Sequence, residues 1–407
     1  MANPLPSLRN DIELMPSPDP NQPGLLIRDP YRYSNAMLIV PPVLVPALAF
    51  LDGEKTALDL QAFLTRHIGQ VVPSEVVNDF VRALDDHGFL QSEKFHARRE
   101  ASLDEFRNAA QRKPAHVGSA YPLEPHAITE QLAGYLRSAN VQANHGKLTG
   151  IAAPHVSFAG GWKSYANAYG RLSPSLAEKT VVVLGTSHYG QPEKFGLTRK
   201  PFVTPLGTLE VDTALVDWID AKAGDAVVME DYCHSIEHSI EFQCLFLQHA
   251  LGANCRILPI LCGPFLDSLL TGEAPEANEG NRRFFDALGE LAARDGERLF
   301  WVLGIDLTHI GKRYGDPFAV RAEQGRMAEV RHKDERRLER VCAGDREGFF
   351  DLVRPQGDEL RWCGFSPLYT YLKAVPEARG SLLSYEQWNI DEESVVSVTA
   401  LEFFRKE

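Results

Sequence analysis

Thr180-Val-Val-Val-Leu-Gly-Thr-Ser-His188 is a run of β-branched and small residues that stops at a histidine. Leu148-Thr-Gly-Ile-Ala-Ala-Pro-His155 repeats the plan. Leu299-Phe-Trp-Val-Leu-Gly-Ile-Asp306 ends on an aspartate and reaches His309 three residues later. Short apolar runs bounded by glycine or polar residues are the pattern of strands buried on both faces of a parallel sheet. In open α/β sheets, ligands bind beyond the carboxyl ends of the strands. Three such strands would bring histidines and an aspartate to one rim, which points to a metal or an acid–base site.

Outward from these runs, apolar segments continue to alternate with helical patterns. Cys255–Cys262, Gly380–Tyr385 and Ser394–Phe404 are further strand candidates, so residues 117–407 read as a layered α/β domain. The region before it is different. Residues 1–23 hold Pro4, Pro6, Pro16, Pro18, Pro20 and Pro23 and read as an extended arm. Residues 24–92 read as a small winged-helix-like domain. Its expected elements are a strand at Tyr33–Val40 and a helix opened by Pro42 that ends at Asp52-Gly53. Next come a helix capped by Thr56 with Asp59 at the capping-box position, and a helix capped by Ser74 and closed by His87-Gly88. Phe89-Leu90 then begins a terminal hairpin. Residues 93–116 are strongly charged and read as a solvated linker helix.

A chain of 407 residues has room for two domains. The net charge of −13, with no basic stripe to offset it, argues against a nucleic-acid partner. Six cysteines without a CxxC pair are expected to be reduced thiols of a cytoplasmic protein. The N-terminus lacks the layout of a signal peptide. Ala36–Leu51, the most apolar segment, is broken by Pro41, Pro42 and Pro46 and is shorter than the roughly 20 residues that span a bilayer, so no membrane association is expected.

Five clusters can carry chemistry: Ala153-Pro-His155, Gly185-Thr-Ser-His188, His234-Ser-Ile-Glu237-His238-Ser-Ile-Glu241, Asp306-Leu-Thr-His309 and Trp362-Cys363-Gly-Phe-Ser-Pro367. Imidazole, thiolate and carboxylate are ligands for Zn, Fe and Cu, and His, Asp and Glu also serve as acids and bases near neutral pH. Each cluster also has a plainer reading. A strand-end histidine is commonly a hydrogen-bonded core residue, Cys363 a small buried apolar side chain, and the Asp306/His309 pair a helix cap. His234-x-x-Glu237-His238 matches a zinc-peptidase pattern, and on one helix His234, His238 and Glu241 would share a face. A polar face lining the cleft explains that motif better than a peptidase does.

Taken together, the five clusters resemble the Memo family, protein B of the AmmeMemoRadiSam systems, over roughly residues 117–404. Val117-Gly-Ser-Ala-Tyr121 is similar to the family's opening segment. The resemblance implies a fold like that of class III extradiol dioxygenases and a redox-active metal site. By motif, the ligands would be His155, His188 and Cys363, holding Fe or Cu, with Zn compatible. His309 would be the acid–base group, with Asp306 and His238 nearby. The dioxygenases use a carboxylate where this chain offers Cys363. Around Asp306, Gly304-Ile305 and Leu307-Thr308 replace the Ser-Ser and Phe-Cys more usual in the family. The resemblance further implies a radical-SAM partner protein, and the substrate expected is an unidentified small molecule or peptide. The N-terminal region resembles a PqqD-like peptide-binding winged helix in element order and in its Leu51-Asp-Gly-Glu-Lys-Thr turn. The function expected is therefore metal-dependent oxidation. The alternatives are a metal- or peptide-binding module without turnover, and a zinc peptidase.

Overall fold

The computed structural model describes residues 3–139, 146–252 and 254–405. They form two compact units, residues 1–108 and 109–407.

In the first unit, β1 (Glu13–Pro16), β2 (Leu25–Arg28) and β3 (Met37–Val40) pair antiparallel in that order. Part of the expected arm is thus an edge strand, a position in which Pro16 is tolerated. The helix expected from Pro42 shrinks to a 3-10 turn, Val45–Phe50, because Pro41, Pro42 and Pro46 remove the backbone donors a longer helix needs. Helix Ala57–Ile68 has the full capping box of Thr56 and Asp59. In helix Ser74–Asp86 the cap position falls instead to Pro73, and the Ser74 hydroxyl donates to the Gln61 side chain at 3.4 Å. No terminal hairpin forms among the described residues. Leu90 makes a single bridge to Leu8, and helix Glu93–Asn108 follows directly and belongs to this unit. Its core gathers Ile27, Leu60, Leu64, Leu84 and Phe89.

The second unit is built on one mixed sheet. Its strands are β4 (Lys147–Ala153), β5 (Thr180–Thr186), β6 (Phe195–Leu197), β7 (Phe202–Thr204), β8 (Gly207–Val211) and β9 (Val227–Met229). β10 (Arg256–Cys262), β11 (Leu299–Gly304), β12 (His309–Gly311), β13 (Ala378–Asn389) and β14 (Ser394–Arg405) complete it. The order is β12-β14-β4-β11-β5-β10-β6-β9, with β13 on β14 and the β7–β8 pair beside β10. The central four, β4-β11-β5-β10, are parallel and almost wholly buried, as their unbroken apolar runs predict. Helices Glu241–Leu251 and Phe365–Ala374 pack on these strands. This is the layered α/β domain expected from the sequence. No helix among the described residues is long and apolar enough to cross a membrane.

Two glycines prepare the rim. Gly185 of β5 and Gly304 of β11 are register partners. A Cβ at Gly185 would lie 2.5 Å from the Ser239 hydroxyl oxygen, and one at Gly304 would lie 2.3 Å from the Ser239 carbonyl oxygen. Only glycine lets the 237–240 turn seat on these strand ends.

Candidate metal centre

His155 leaves β4 with its main chain fixed. The amides of His155 and Val156 both donate to Asp306 Oδ1, at 3.0 and 3.2 Å. Its ring Nδ1 lies 3.0 Å from the Gly304 carbonyl oxygen. A carbonyl only accepts, so Nδ1 carries the proton and Nε2 presents a lone pair. That lone pair faces Cys363, whose Sγ is 3.3 Å away. Burial, reinforced by His188 and His238, pushes the His155 pKa well below the usual imidazole range, so the ring is neutral.

His188 and His238 share one orienting carboxylate. His188 Nδ1 is 3.1 Å from each oxygen of Glu237, and His238 Nδ1 is 3.0 Å from Oε1. The rings of His188 and His238 stand within 12° of parallel, 5.0 Å apart. His155 lies 5.0 Å from His188 and 5.2 Å from His238, ring centre to ring centre. Each of the three histidines offers a ring nitrogen, and these atoms lie within 4.8 Å of one another. Cys363 joins them through His155 and also reaches the His188 side chain. Thr186 Oγ1 donating to the Cys363 carbonyl at 2.8 Å, and the Gly364 amide donating to Asp306 O at 3.0 Å, hold its backbone.

Metal-binding histidines characteristically donate their second ring N–H to a carboxylate or a carbonyl, which fixes the ring and raises its basicity. All three rings meet that condition. Three imidazoles and a thiol suit Fe, Cu or Zn rather than Mg or Ca, so the donor set fits the implied metal.

Glu237 emerges as the organiser of the site. It is buried, and its carboxylate also accepts from the amides of His188 at 2.9 Å, His238 at 2.8 Å and Ser239 at 3.2 Å. Burial opposes its ionisation, but His188 and His238 outweigh that and hold the carboxyl well below its ordinary range. The single helix expected over His234–Glu241 is absent. A short helix ends at Ile236, Glu237 is extended at φ −74° and ψ 139°, and the next helix starts at Glu241. His234 is therefore not one turn below His238. It is buried elsewhere, with Nε2 3.0 Å from the Gly196 carbonyl oxygen and its ring edge-on to Phe202. Glu241 is also not a ligand, because its carboxylate pairs with Arg112. The ligand set that the peptidase arrangement needs is not assembled.

His309 opens β12 beside the histidine cluster, where its ring packs edge-on against Tyr314. Asp306 and the His309 ring have different hydrogen-bond partners. Asp306 holds the backbone of residues 155 and 156, while His309 Nδ1 faces the carbonyl oxygens of Leu307 at 2.9 Å and Arg361 at 3.2 Å. Burial lowers the His309 pKa and raises that of Asp306. A cleft of about 330 Å³ joins His155, His188, His238, Asp306 and His309 to an apolar wall of Val156, Phe242, Ile390 and Val396. His116, from the segment read as linker, also lines it, with Nε2 2.8 Å from the Ile236 carbonyl oxygen.

The family model described as Memo-like protein matches residues 112–402. The chain belongs to the Memo family. Similar curated relatives include a MEMO1 family protein of Aquifex aeolicus, 24% identical over 93% of this chain and 96% of the relative. Another from Methanosarcina acetivorans is 26% identical over 67% of this chain and 91% of its own length. A third, from Pyrococcus abyssi, is 29% identical over 62% of this chain and 83% of the relative. Among solved structures, an uncharacterised Escherichia coli K12 protein aligns with a TM-score of 0.39 and 13% identity, over 62% of this chain and 99% of that one. The Memo match begins at Arg112, the residue that pairs with Glu241 beneath the histidine cluster.

Proposed function

We propose that this Memo-family protein is a metal-dependent redox protein that holds one iron or copper ion through His155, His188 and Cys363, with His238 as the neighbouring donor. One observation carries the reading: each imidazole has its Nδ1 committed to an oxygen, Gly304 for His155 and Glu237 for the other two, so their Nε2 atoms are left to bind. Zinc suits the same donors. When bound, such an ion supplies Lewis-acid or electron-transfer chemistry.

The chain's own groups do the rest. The His309 Nε2 lone pair can take a proton from a polar group in the cleft, because Nδ1 donates to two carbonyls. Asp306 keeps the His155 backbone in place through two amides. The apolar wall favours a substrate with an apolar body. In this reading the protein acts with a radical-SAM partner, and the first unit recognises a peptide or partner by adding a strand to an open edge of its three-stranded sheet.

Metal analysis of anaerobically purified wild type, His155→Ala, His188→Ala and Cys363→Ala tests the site. Metal should fall sharply in each variant while the fold persists, and wild-type stoichiometry in all three would sink the assignment. His309→Gln should keep the metal and lose any substrate-dependent spectral change.

A further inference from the structure

We propose that the Arg361–Asp316 ion pair sets the tautomer of His309, so that its Nε2 faces the cleft as a proton acceptor. This deepens the reading of His309 as the proton-handling group and makes Arg361 a positioning residue.

The Nδ1 of His309 faces two acceptors. The Leu307 carbonyl, at 2.9 Å, lies two residues earlier in the same loop. The Arg361 carbonyl, at 3.2 Å, comes from a loop 52 residues away. Arg361 presents it from a left-handed backbone at φ 52°, a conformation that a residue with a Cβ adopts only when its surroundings impose it. Those surroundings form a closed ring. The Arg361 guanidinium donates to both oxygens of Asp316, from Nη2 at 2.8 Å and from Nη1 at 3.0 Å. Nη1 also donates to the His309 carbonyl at 3.0 Å. Asp316 Oδ2 accepts the Gly311 amide at 2.9 Å, and the His309 amide donates to Leu360 O at 3.0 Å. The loop holding the imidazole and the loop supplying its acceptor are therefore tied at both ends. On the far side, the Trp362 amide donates to Asp358 at 2.6 Å, and Asp358 pairs with the buried Arg337 at 2.7 Å.

The fork matters more than the charge. Arg361 is 42% exposed, so its charge is screened and the pair adds little stability. Two parallel N–H groups on one carboxylate fix orientation, which a lysine ammonium cannot do. With Nδ1–H shared between two carbonyls, neutral His309 must carry its lone pair on Nε2.

Two-bond proton–nitrogen correlation spectra of histidine-labelled, metal-free, full-length protein read the tautomer, with His309 identified by the signals missing from His309→Gln. Wild type should show the Nδ1-protonated pattern. Arg361→Ala, Arg361→Lys and Asp316→Asn should show a mixture that includes Nε2–H, at unchanged metal content after loading. Arg326→Ala, an exposed cation outside the ring, should leave the pattern as it was. An Nε2–H pattern in wild type overturns the proposal. So does an unaltered Nδ1–H pattern in those of the three ring variants that fold. Failure of wild type to load any metal would undo the metal reading and leave the tautomer result standing.

Discussion

Replacing Glu241 by Gln probes the buried anchor under the turn that bears Glu237 and His238. Four donors converge on this carboxylate: the Arg112 guanidinium, the Tyr121 hydroxyl, and the amides of Ala115 at 2.8 Å and His116 at 2.9 Å. The Arg112 and Glu241 side chains are 1% and 0% exposed. Arg112 also donates to the carbonyls of His234 at 2.8 Å and Glu237 at 2.9 Å, so the pair pins both ends of the turn. A glutamine would aim an NH₂ at some of these donors and leave the guanidinium without a counter-charge. Breaking one side of a buried pair costs about 3–5 kcal/mol. At roughly 2–4 °C per kcal/mol for a large domain, the melting transition should fall by about 6–20 °C. The pH dependence has a definite sign. Burial opposes ionisation of Glu241, but Arg112 and His116 win, and its pKa lies below the ordinary value. Its stabilising contribution is therefore complete above the ordinary carboxyl range near pH 4.3 and is lost as pH falls through the lower folded value. The gap between wild type and variant should be constant from pH 7 to about pH 5 and close only in stronger acid. Calorimetry of the full-length chain across that range, with metal analysis alongside, makes the test. In a peptidase arrangement Glu241 would be a ligand and the variant would lose metal. With the proposed ligands His155, His188 and Cys363, the folded variant should keep it. A variant within about 1 kcal/mol of wild type at pH 7, or one that is folded yet metal-free, would refute the reasoning.

Three further outcomes follow from the same contacts. Gly304→Ala puts a Cβ 2.3 Å from the Ser239 carbonyl oxygen and 2.9 Å from Gln243 Nε2. It should cost about 1–3 kcal/mol in denaturant unfolding and weaken metal binding, and a variant unchanged in both would show that the turn is not seated as described. Glu237→Gln should lower metal affinity about 10–100-fold in chelator competition, because His188 and His238 lose their shared acceptor, and affinity within twofold of wild type would discount it. A chain beginning at Ala109 should bind metal like the full protein, whereas one beginning at Lys113 should unfold more readily. Equal stability of the two would mean that Arg112 contributes nothing.

The parallel strands and the rim histidines were legible because both signals are local: a short apolar run, then a polar residue at its end. The role of Glu237 was hidden. It joins His188, 49 residues away in sequence, to its own neighbour His238, and no spacing rule marks such a pairing. The i, i+4 pattern of His234 and His238 suggested a helix, but seating Ser239 on Gly185 and Gly304 overrode local propensity. His116 escaped notice because it lies in a charged stretch; the only clue was Pro114, which ends any helix there. The setting of His309 was not readable either, since it depends on a carbonyl rather than a side chain. In the first unit, capping at Thr56 was written in the residues, whereas pairing of β1 depended on partners downstream.

β4 and β5 are not neighbours; β11 runs between them. Their backbones are therefore two strand spacings apart, about 9–10 Å, yet the rings of His155 and His188 close to 5.0 Å. The two imidazoles lean inward over the middle strand like the halves of an arch, and Asp306, just past the end of that strand, holds the His155 side through two amides. The sheet thus sets the spacing of the strands from which the two imidazoles depart, and the turns after Ala153 and Thr186 bring the rings together. In the proposed metal site, such a span would favour ions whose size and preferred geometry match it over those that ask the arch to widen.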